Sequence, residues 1–199
     1  MPNWDADSPR LRQNLESVLE SVRDDARART VPSLEDARRW QRETMAGLIV
    51  PDPRYVGQFR GEPGIRKVEV TIGGVAGTPA RQVSSELRKF ESTLQSVAAA
   101  LDAKYAAGAE LDADGLAAAI DLAAWAHAEW VRIHPFANGN GRTARLWANY
   151  LLMRYGIPPA VRLRPRPDGG YAAASSRAMS GDWKLTAVVF HRLVQDAAS

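Results

Sequence analysis

The sequence predicts an all-α protein, a bundle of about six to eight helices with one small β-hairpin. Along most of the 199-residue chain, apolar residues recur every three or four positions, which is the spacing of one helix face. Several of these stretches begin with capping residues and end at glycine or proline. Residues 68–72 alternate strictly between apolar and polar side chains and stop at two glycines, as a short strand of a hairpin does.

Three helices are predicted in the first half of the chain. The first begins at Ser8 and Pro9, a capping hydroxyl followed by proline in the first turn, and continues to about Arg27. Ser33 begins the second, which continues to about Leu48. The third presents a single apolar stripe, which we expect to be buried. Its members are Val83, Leu87, Phe90, Leu94, Val97 and Leu101.

The second and third helices are separated by residues 51–80, which are rich in proline and glycine and therefore mostly loop. Within them Val68, Val70 and Ile72 alternate with polar residues until Gly73, which predicts one strand of a hairpin. Two strands alone are marginally stable in water. We therefore expect the hairpin to lean on the helices or to be completed by another chain.

Three further helical regions follow. Residues 114–133 are apolar on every side, which indicates a central, buried helix. The next helix begins near Gly141 and ends near Tyr155, before Gly156 and Pro158. The last region runs from Tyr171 toward the C-terminus and is interrupted near residues 180–182.

The composition excludes several classes of protein. The chain has no cysteine, which rules out disulfides and thiolate metal sites and fits a reducing cytoplasm. No signal segment and no membrane-length apolar run is present, so we predict a cytoplasmic protein without a membrane partner. The 26 Lys and Arg are intermixed with 23 Asp and Glu, which argues against nucleic acid as a partner. With three His and no HExxH pattern, a metal hydrolase is also disfavoured.

One stretch, HPFANGNGRTAR at residues 134–145, concentrates donors and cations between two apolar helices. The N-terminus of the second helix offers unpaired N–H groups and a positive dipole end, which attract anions. Gly139 and Gly141 allow positive φ and a close approach of the backbone. Arg142 and Arg145 lie three positions apart, and guanidinium groups bind phosphate oxygens in pairs. The stretch therefore predicts a polyphosphate site.

The same stretch carries groups for catalysis. His134 is the side chain best suited to take a proton near neutral pH. Asn138 offers a carbonyl oxygen of the kind that binds Mg²⁺. A base, a metal ligand and a phosphate cradle predict transfer of a phosphate-containing group to a hydroxyl. The P-loop pattern GxxxxGK[ST] is absent.

Residues 134–145 closely resemble the signature of the Fic family, HPFx[D/E]GNGRxxR. The resemblance extends over roughly residues 50–195 and implies a Fic-like helical bundle with a β-hairpin flap. It also implies transfer of AMP from ATP to a Tyr, Thr or Ser hydroxyl of a target protein, with Mg²⁺ bound and pyrophosphate released. In this interpretation residues 1–50 are a helical segment packed on the core. Residues 51–199 are the catalytic domain, with the flap at about 55–80.

The resemblance also implies roles for individual residues. His134 is the general base, Asn138 occupies the metal-ligand position and Arg142 holds the β- and γ-phosphates. Arg145 meets the γ-phosphate, or an inhibitory glutamate where one exists. The anion hole is formed by Gly139, Asn140 and Gly141. The target docks on the flap, whose predicted residues are Val68, Val70, Ile72 and Gly73. A hairpin that merely caps the core is the alternative.

Two departures from the family and one absence are informative. Asn138 stands where an acidic residue is usual, so the metal ligand would be neutral. Tyr171 and residues 180–182 resemble the adenine-side wall, but Met179 replaces an asparagine common in relatives, which leaves base selectivity open. No glutamate is followed by Gly or Asn, so the inhibitory pattern [S/T]xxxE[G/N] is absent. We therefore expect any inhibition to come from a separate antitoxin-like protein or from self-association.

Other functions remain open at this stage. The same pocket could transfer a phosphoryl group, as in the related Doc branch, although Gly141 is present here and absent there. It could transfer UMP, or the domain could sense nucleotide without catalysis. Arg162, Arg164 and Arg166 could contact nucleic acid but are more typical of a solvated edge or a target-docking surface. His127 and the six Trp are interpreted as core residues, not as ligands or stacking platforms.

Overall fold

The computed structural model describes Trp4 and residues 6–198. Within that part of the chain it contains seven α-helices, one 3₁₀ turn and one two-stranded antiparallel sheet. The helices are α1 Pro9–Ala28, α2 Leu34–Met45, α3 Ala80–Lys104, α4 Ala113–Ile133, α5 Asn140–Arg154, α6 Tyr171–Ala178 and α7 Lys184–Ala198. The strands are β1 Thr71–Ile72 and β2 Val75–Ala76, and the 3₁₀ turn is Pro53–Tyr55. The predicted all-α class with one hairpin is confirmed.

Helices α4 and α5 form the centre of the bundle. α4 packs against α3, α5, α6 and α7, while α1 and α2 pack against α5. Trp130 of α4 and Trp147 of α5 are fully buried, and both meet the ring of Phe90 from α3 at centroid distances of 5.3 and 5.7 Å. The apolar pattern of residues 114–133 therefore predicted the buried helix correctly, and His127 lies in the core as expected. The loop between these two helices is held rigidly at both ends.

Local capping fixes the first two helices near their predicted starts. The Ser8 hydroxyl accepts a hydrogen bond of 3.2 Å from the Leu11 N–H. The Asp36 carboxylate accepts one of 2.9 Å from the Ser33 N–H. Such caps satisfy backbone groups that the helix itself cannot. The second helix ends at Met45, three residues before the predicted end at Leu48.

The strand prediction was too long. Only Thr71 and Ile72 pair with the second strand, although the Gly77 N–H extends the ribbon by donating to the Val70 carbonyl at 3.0 Å. Val68 lies outside the ladder because its carbonyl accepts from the Arg60 side chain and its N–H donates to the Ile65 carbonyl. A side chain from elsewhere in the chain therefore replaces the cross-strand partner.

The apolar stripe of α3 also differs from the prediction near its end. Val83, Leu87, Phe90 and Leu94 are buried, but Val97 is 39% exposed and Ala98 takes the next buried position. Because the helix repeat is 3.6 residues, either Val97 or Ala98, three and four positions after Leu94, could face the core. The packing of the neighbouring elements decides which of the two is buried. The Ala98 carbonyl accepts a hydrogen bond of 3.3 Å from the hydroxyl of the buried Tyr155.

None of the helices in the described part of the chain is both long enough and apolar enough to cross a lipid bilayer.

Candidate active site

A cleft lies where the hairpin, the loop between α4 and α5 and the loop after α5 meet. The motif contributes His134, Asn138, Gly139, Asn140, Gly141, Arg142 and Arg145 to its lining. The hairpin side contributes Val70 and Thr71, and the loop after α5 contributes Arg164 and Arg166. The cleft therefore combines a histidine, a helix N-terminus and several guanidinium groups in one place.

His134 ends α4 in the left-handed conformation, with φ 53° and ψ 55°. Its N–H still donates to the Trp130 carbonyl at 2.9 Å, and this closes the helix. The ring nitrogen Nδ1 lies 3.1 Å from the Val131 carbonyl. Because a carbonyl only accepts, Nδ1 carries the proton and Nε2 keeps the lone pair. The backbone of α4 thus orients the imidazole as a potential base.

The environment keeps this imidazole neutral. Burial lowers the pKa of His134 to about 4. The hydrogen bond to the Val131 carbonyl raises the pKa, while the charge of Arg60 lowers it. At pH 7 the ring is therefore unprotonated and able to accept a proton.

Arg60 joins the hairpin to the motif, and its importance was missed in the sequence. Its side chain is fully buried, and its guanidinium donates to the His134 carbonyl at 2.8 Å. It also donates to the Val68 and Thr78 carbonyls, at 3.2 and 2.8 Å, on either side of the hairpin. Nothing in the surrounding sequence GQFRGEPG distinguishes this arginine from a surface residue.

Asn140 shapes the loop with its side chain. Its amide accepts from the Phe136 N–H and donates to the Phe136 carbonyl, both at 2.8 Å. Phe136 is fully buried and packs on Phe59, with ring centroids 4.8 Å apart. Because its side chain is occupied, Asn140 can contribute to an anion site only through its backbone N–H. This group lies in the first turn of α5 and, like its neighbours there, has no intrahelical acceptor.

The two motif glycines serve different purposes. Gly139 has φ 89°, and a Cβ there would lie 3.0 Å from the Met45 side chain, so only glycine fits. Gly141 is helical, so the predicted positive φ at this position was wrong. A Cβ on Gly141 would lie 3.4 Å from Nη1 of Arg145. Glycine there keeps the space in front of that guanidinium open.

Arg142 is buried at the base of the cleft. Its guanidinium donates to the Asn138 side-chain oxygen at 3.1 Å and to the Trp4 carbonyl at 3.0 Å. The Asn138 oxygen, which was predicted to bind a metal ion, therefore accepts from Arg142, which was predicted to bind phosphates. The contact with Trp4, which stacks on Tyr55 at 5.8 Å, brings the N-terminal segment to the cleft. No pattern in the sequence indicated this contact.

Arg145 is held from behind by protein acceptors. Its Nε and Nη2 donate to the Leu163 carbonyl at 3.1 and 2.9 Å. Its Nη1 donates to the Tyr171 hydroxyl at 3.2 Å. Arg142 and Arg145 therefore reach the same cleft, as their spacing predicted, but different hydrogen-bond acceptors hold the two guanidinium groups.

Tyr171 does not line the cleft. Its side chain is 4% exposed and lies beneath Arg145, with its hydroxyl 2.6 Å from Nε2 of His127. The ring turns inward because both hydrogen-bond partners of its hydroxyl are buried. Residues 180–182 are likewise absent from the lining, and Gly181 faces Arg132. This placement does not support the predicted adenine-side wall.

The predicted flap residues are divided. Val70 reaches the cleft together with Thr71, whereas Val68, Ile72 and Gly73 are not part of its lining. Ile72 and Gly73 lie at the turn end of the hairpin, beyond the residues that face His134.

The arginines after α5 are also divided. Arg164 and Arg166 line the cleft, and Nε of Arg164 lies 3.3 Å from the carboxylate of Asp7, which lines it as well. Arg162 instead bonds within its own loop, to the Pro165 carbonyl at 2.9 Å. Arg162 and Arg166 are exposed, as a solvated edge predicts, whereas Arg164 is half-buried.

No cluster of three or more His, Cys, Asp or Glu side chains in the described residues is arranged to hold a metal ion. A metal in this cleft would therefore depend on Asn138, on oxygens of a bound ligand and on water.

The sequence model of the Fic/DOC family matches residues 32–152, which is more than half of the chain. The chain belongs to the Fic/DOC family. The match begins just before α2, inside the segment that was predicted to precede the catalytic domain, and ends within α5.

Curated Fic relatives are similar over parts of the chain. A protein from Aedes aegypti named "Protein adenylyltransferase Fic" is 38% identical over 112 residues, which is 55% of this chain and 18% of the relative. A protein of the same name from Nematostella vectensis is 48% identical over 64 residues, covering 32% of this chain and 14% of the relative. The match thus spans less than a fifth of each of these relatives.

Solved Fic structures share the fold. A Fic domain containing signaling protein from Bacteroides thetaiotaomicron has a TM-score of 0.65 at 20% identity, covering 94% of this chain and 69% of that one. The BepC protein from Bartonella tribocorum, solved with bound AMPPNP, has a TM-score of 0.63 at 17% identity, with coverages of 97% and 90%. A Bartonella quintana Fic domain with bound ADP has a TM-score of 0.61 at 18% identity, with coverages of 97% and 89%.

Proposed function

We propose that this Fic-family chain transfers AMP from ATP to a Tyr, Thr or Ser hydroxyl of a target protein and releases pyrophosphate. The observation that carries the proposal is the neutral His134, which faces the same cleft as the N-terminus of α5, Arg142 and Arg145. Two relatives named adenylyltransferases support this activity. Two neighbours with bound AMPPNP and ADP support a nucleotide ligand.

The proposed step needs one base. Nε2 of His134 takes the proton of the target hydroxyl while the hydroxyl oxygen attacks the α-phosphorus of ATP. A new P–O bond forms, and the bond from the α-phosphorus to the oxygen bridging to the β-phosphate breaks. Pyrophosphate leaves with that electron pair, and AMP remains on the target. Neutrality of His134 at pH 7 is what this step requires.

The phosphates would be held at the start of α5. The first-turn N–H groups and the helix dipole attract the anion, and Arg142 would bind the β- and γ-phosphates through paired N–H donors. The Asn138 oxygen and the Trp4 carbonyl, which now accept from Arg142, would give way to phosphate oxygens. Arg145 would meet the terminal phosphate from the other side of Gly141.

The motif offers few ligands for Mg²⁺. Asn138 offers one neutral oxygen, and Mg²⁺ commonly takes its remaining ligands from phosphates and water. When bound, it would offset negative charge on the phosphates. The Asn138 oxygen accepts one hydrogen bond from Arg142, and its second lone pair would serve the metal.

The target would dock on the hairpin by adding its backbone to the exposed strand edge beside Val70 and Thr71. This places a side-chain hydroxyl near His134. Because the glutamate of the inhibitory pattern is absent, restraint would come from a separate antitoxin-like protein or from self-association.

The test compares label transfer from α-³²P-ATP and γ-³²P-ATP to proteins of a host lysate in the presence of Mg²⁺. We expect label only from the α-phosphate, lost in His134→Ala. The matched control is His191→Ala, which changes an exposed histidine paired with Asp121 on the far side of α4. Label from the γ-phosphate would mean phosphoryl transfer instead. Nucleotide binding without transfer from ATP or UTP would favour a sensing module.

A further inference from the structure

Behind the cleft, three side chains from three helices are linked in series by two hydrogen bonds. His127 of α4 is fully buried, Tyr171 of α6 is 4% exposed and Arg145 of α5 is 8% exposed. The Tyr171 hydroxyl lies 2.6 Å from Nε2 of His127 and 3.2 Å from Nη1 of Arg145. The imidazole also meets the Tyr171 ring edge-on, with centroids 5.3 Å apart. None of the roles proposed above uses His127 or Tyr171.

Counting the available donors and acceptors shows which group donates in each of these hydrogen bonds. Arg145 can only donate, so the Tyr171 oxygen accepts from it and its own O–H remains available. If Tyr171 donates to Nε2 of His127, a single group, the N–H at Nδ1, lacks a partner. In the opposite tautomer, both the Tyr171 O–H and Nδ1 would be unpaired. Buried unpaired groups are costly, so the first arrangement is favoured.

The environment holds His127 in the form that this chain needs. Burial lowers the pKa of His127 to about 3, and the charge of Arg145 lowers it too. A neutral imidazole keeps an acceptor at Nε2 at every physiological pH, so Tyr171 always has somewhere to donate.

These contacts hold the Arg145 guanidinium from behind. Three of its five N–H groups are taken by two acceptors, the Leu163 carbonyl and the Tyr171 hydroxyl. The remaining N–H groups, on Nη1 and Nη2, are available to a ligand. Nη1 lies 3.4 Å from the point where a Cβ of Gly141 would stand, so it faces the start of α5. The guanidinium is therefore aimed before any ligand arrives.

We propose that Tyr171, backed by His127, is a positioning residue that aims Arg145 at the terminal phosphates of the nucleotide without touching the nucleotide itself. This inference rests on the proposed function. The hydroxyl would let the cleft distinguish a nucleoside triphosphate from a monophosphate, because in the proposed function Arg145 meets the terminal phosphate, which a monophosphate lacks. A structural role alone would change stability but not this discrimination.

The test compares Tyr171→Phe with Tyr155→Phe. Tyr155 is also a buried tyrosine with one hydrogen bond, but it lies at the far end of α5. We expect Tyr171→Phe to weaken ATP binding about tenfold or more, the scale of one hydrogen bond to a charged group, and to leave AMP binding unchanged. Transfer should show a raised KM for ATP with little change in kcat. Tyr155→Phe should leave both affinities unchanged.

A second measurement does not depend on nucleotide. In ¹⁵N-labelled wild-type protein, the NMR shifts of the His127 ring should identify the tautomer with the proton on Nδ1, and Tyr171→Phe should abolish this signature. Should Tyr171→Phe fail to fold, His127→Leu, which removes the acceptor of the Tyr171 hydroxyl, takes its place in the comparison of ATP and AMP binding.

The outcomes separate the inference from the proposed function. If the wild type binds ATP and Tyr171→Phe binds it equally well, the positioning role is overturned and the proposed function stands. If the wild type does not bind ATP, the proposed function fails, and with it the role in phosphate binding. A His127 ring protonated on Nε2 would overturn the hydrogen-bond direction itself.

Discussion

The two sides of the cleft are built very differently. On the motif side, His134, Asn140 and Arg145 are fixed by hydrogen bonds to the backbone of the two central helices and the loops that follow them. On the hairpin side, two strands of two residues each pair only with one another, and Val75 is 48% exposed. The motif side, where we propose that nucleotide binds, is therefore preorganised, whereas the hairpin side has an open edge that another chain can complete.

Arg60 connects the two sides, and breaking this connection should have the largest effect. Arg60→Met removes the donor from the carbonyls of Val68, Thr78 and His134 in a buried place. We expect unfolding to become easier by about 3 kcal/mol, because buried acceptors lose their partner. Urea unfolding measures this loss.

The control for Arg60 is Arg54→Met, which removes an exposed arginine paired with Asp52 on the surface. We expect this control to unfold like the wild type, because an exposed ion pair contributes little to stability. An Arg60→Met protein as stable as the control would show that the hairpin and the motif are not joined through this side chain.

Asn140 and Asn149 offer a matched pair on the motif side. Asn140 bonds both backbone groups of Phe136, and Asn149 bonds both backbone groups of Val161 in the same way, at 2.7 and 3.0 Å. Each change to alanine should cost about 2 kcal/mol of unfolding free energy, since two buried groups lose partners. Only Asn140→Ala should also reduce AMP transfer, by tenfold or more, because it releases the motif loop.

Thermal unfolding and label transfer, measured on both variants, test this expectation. Equal loss of transfer in Asn140→Ala and Asn149→Ala would mean that activity follows overall stability and not the loop.

Lowering the pH should reduce the stability of the protein through its two buried histidines. Burial lowers the pKa of His134 to about 4 and that of His127 to about 3, while both are near 6.5 in the unfolded chain. Between these values the unfolded chain binds more protons, so stability falls as pH falls from about 6.5 toward 4. The slope is up to about 1.4 kcal/mol per pH unit for each histidine.

Urea unfolding at pH 7, 6 and 5 gives this slope. His134→Ala should lower the slope, because one of the two buried histidines is then missing. A slope that does not respond to His134→Ala would contradict the burial argument.

The hairpin should show the smallest effect on stability and a selective effect on transfer. Thr71→Pro removes the backbone N–H of Thr71, which points to the open edge, because the neighbouring pair Val70 and Gly77 is hydrogen-bonded and such pairs alternate along an antiparallel ladder. We expect the unfolding free energy to change by less than about 0.5 kcal/mol, because this segment buries little. ATP binding should be unchanged, while labelling of the target should fall severalfold.

Thr71→Val keeps the backbone N–H and serves as the control. Equal ATP affinity and equal labelling in both variants would remove the hairpin from target docking.

The sequence by itself determined the helices and the position of the motif between the two central ones. Those features depend on apolar spacing, on caps such as Ser8 and on the residues of one short stretch, so they are local in the chain. The same reasoning placed Arg142 and Arg145 together, because three residues separate neighbours on one helix face.

The tertiary structure alone decided which side chains support the motif. Arg60 meets His134 across 74 positions, and Tyr171 meets His127 across 44. From its sequence neighbours, Tyr171 reads as a cleft residue, but it turns inward because its hydroxyl finds buried partners on α4 and α5. A buried polar group must find a partner, and which partner is near depends on how distant helices pack, which a local pattern does not record.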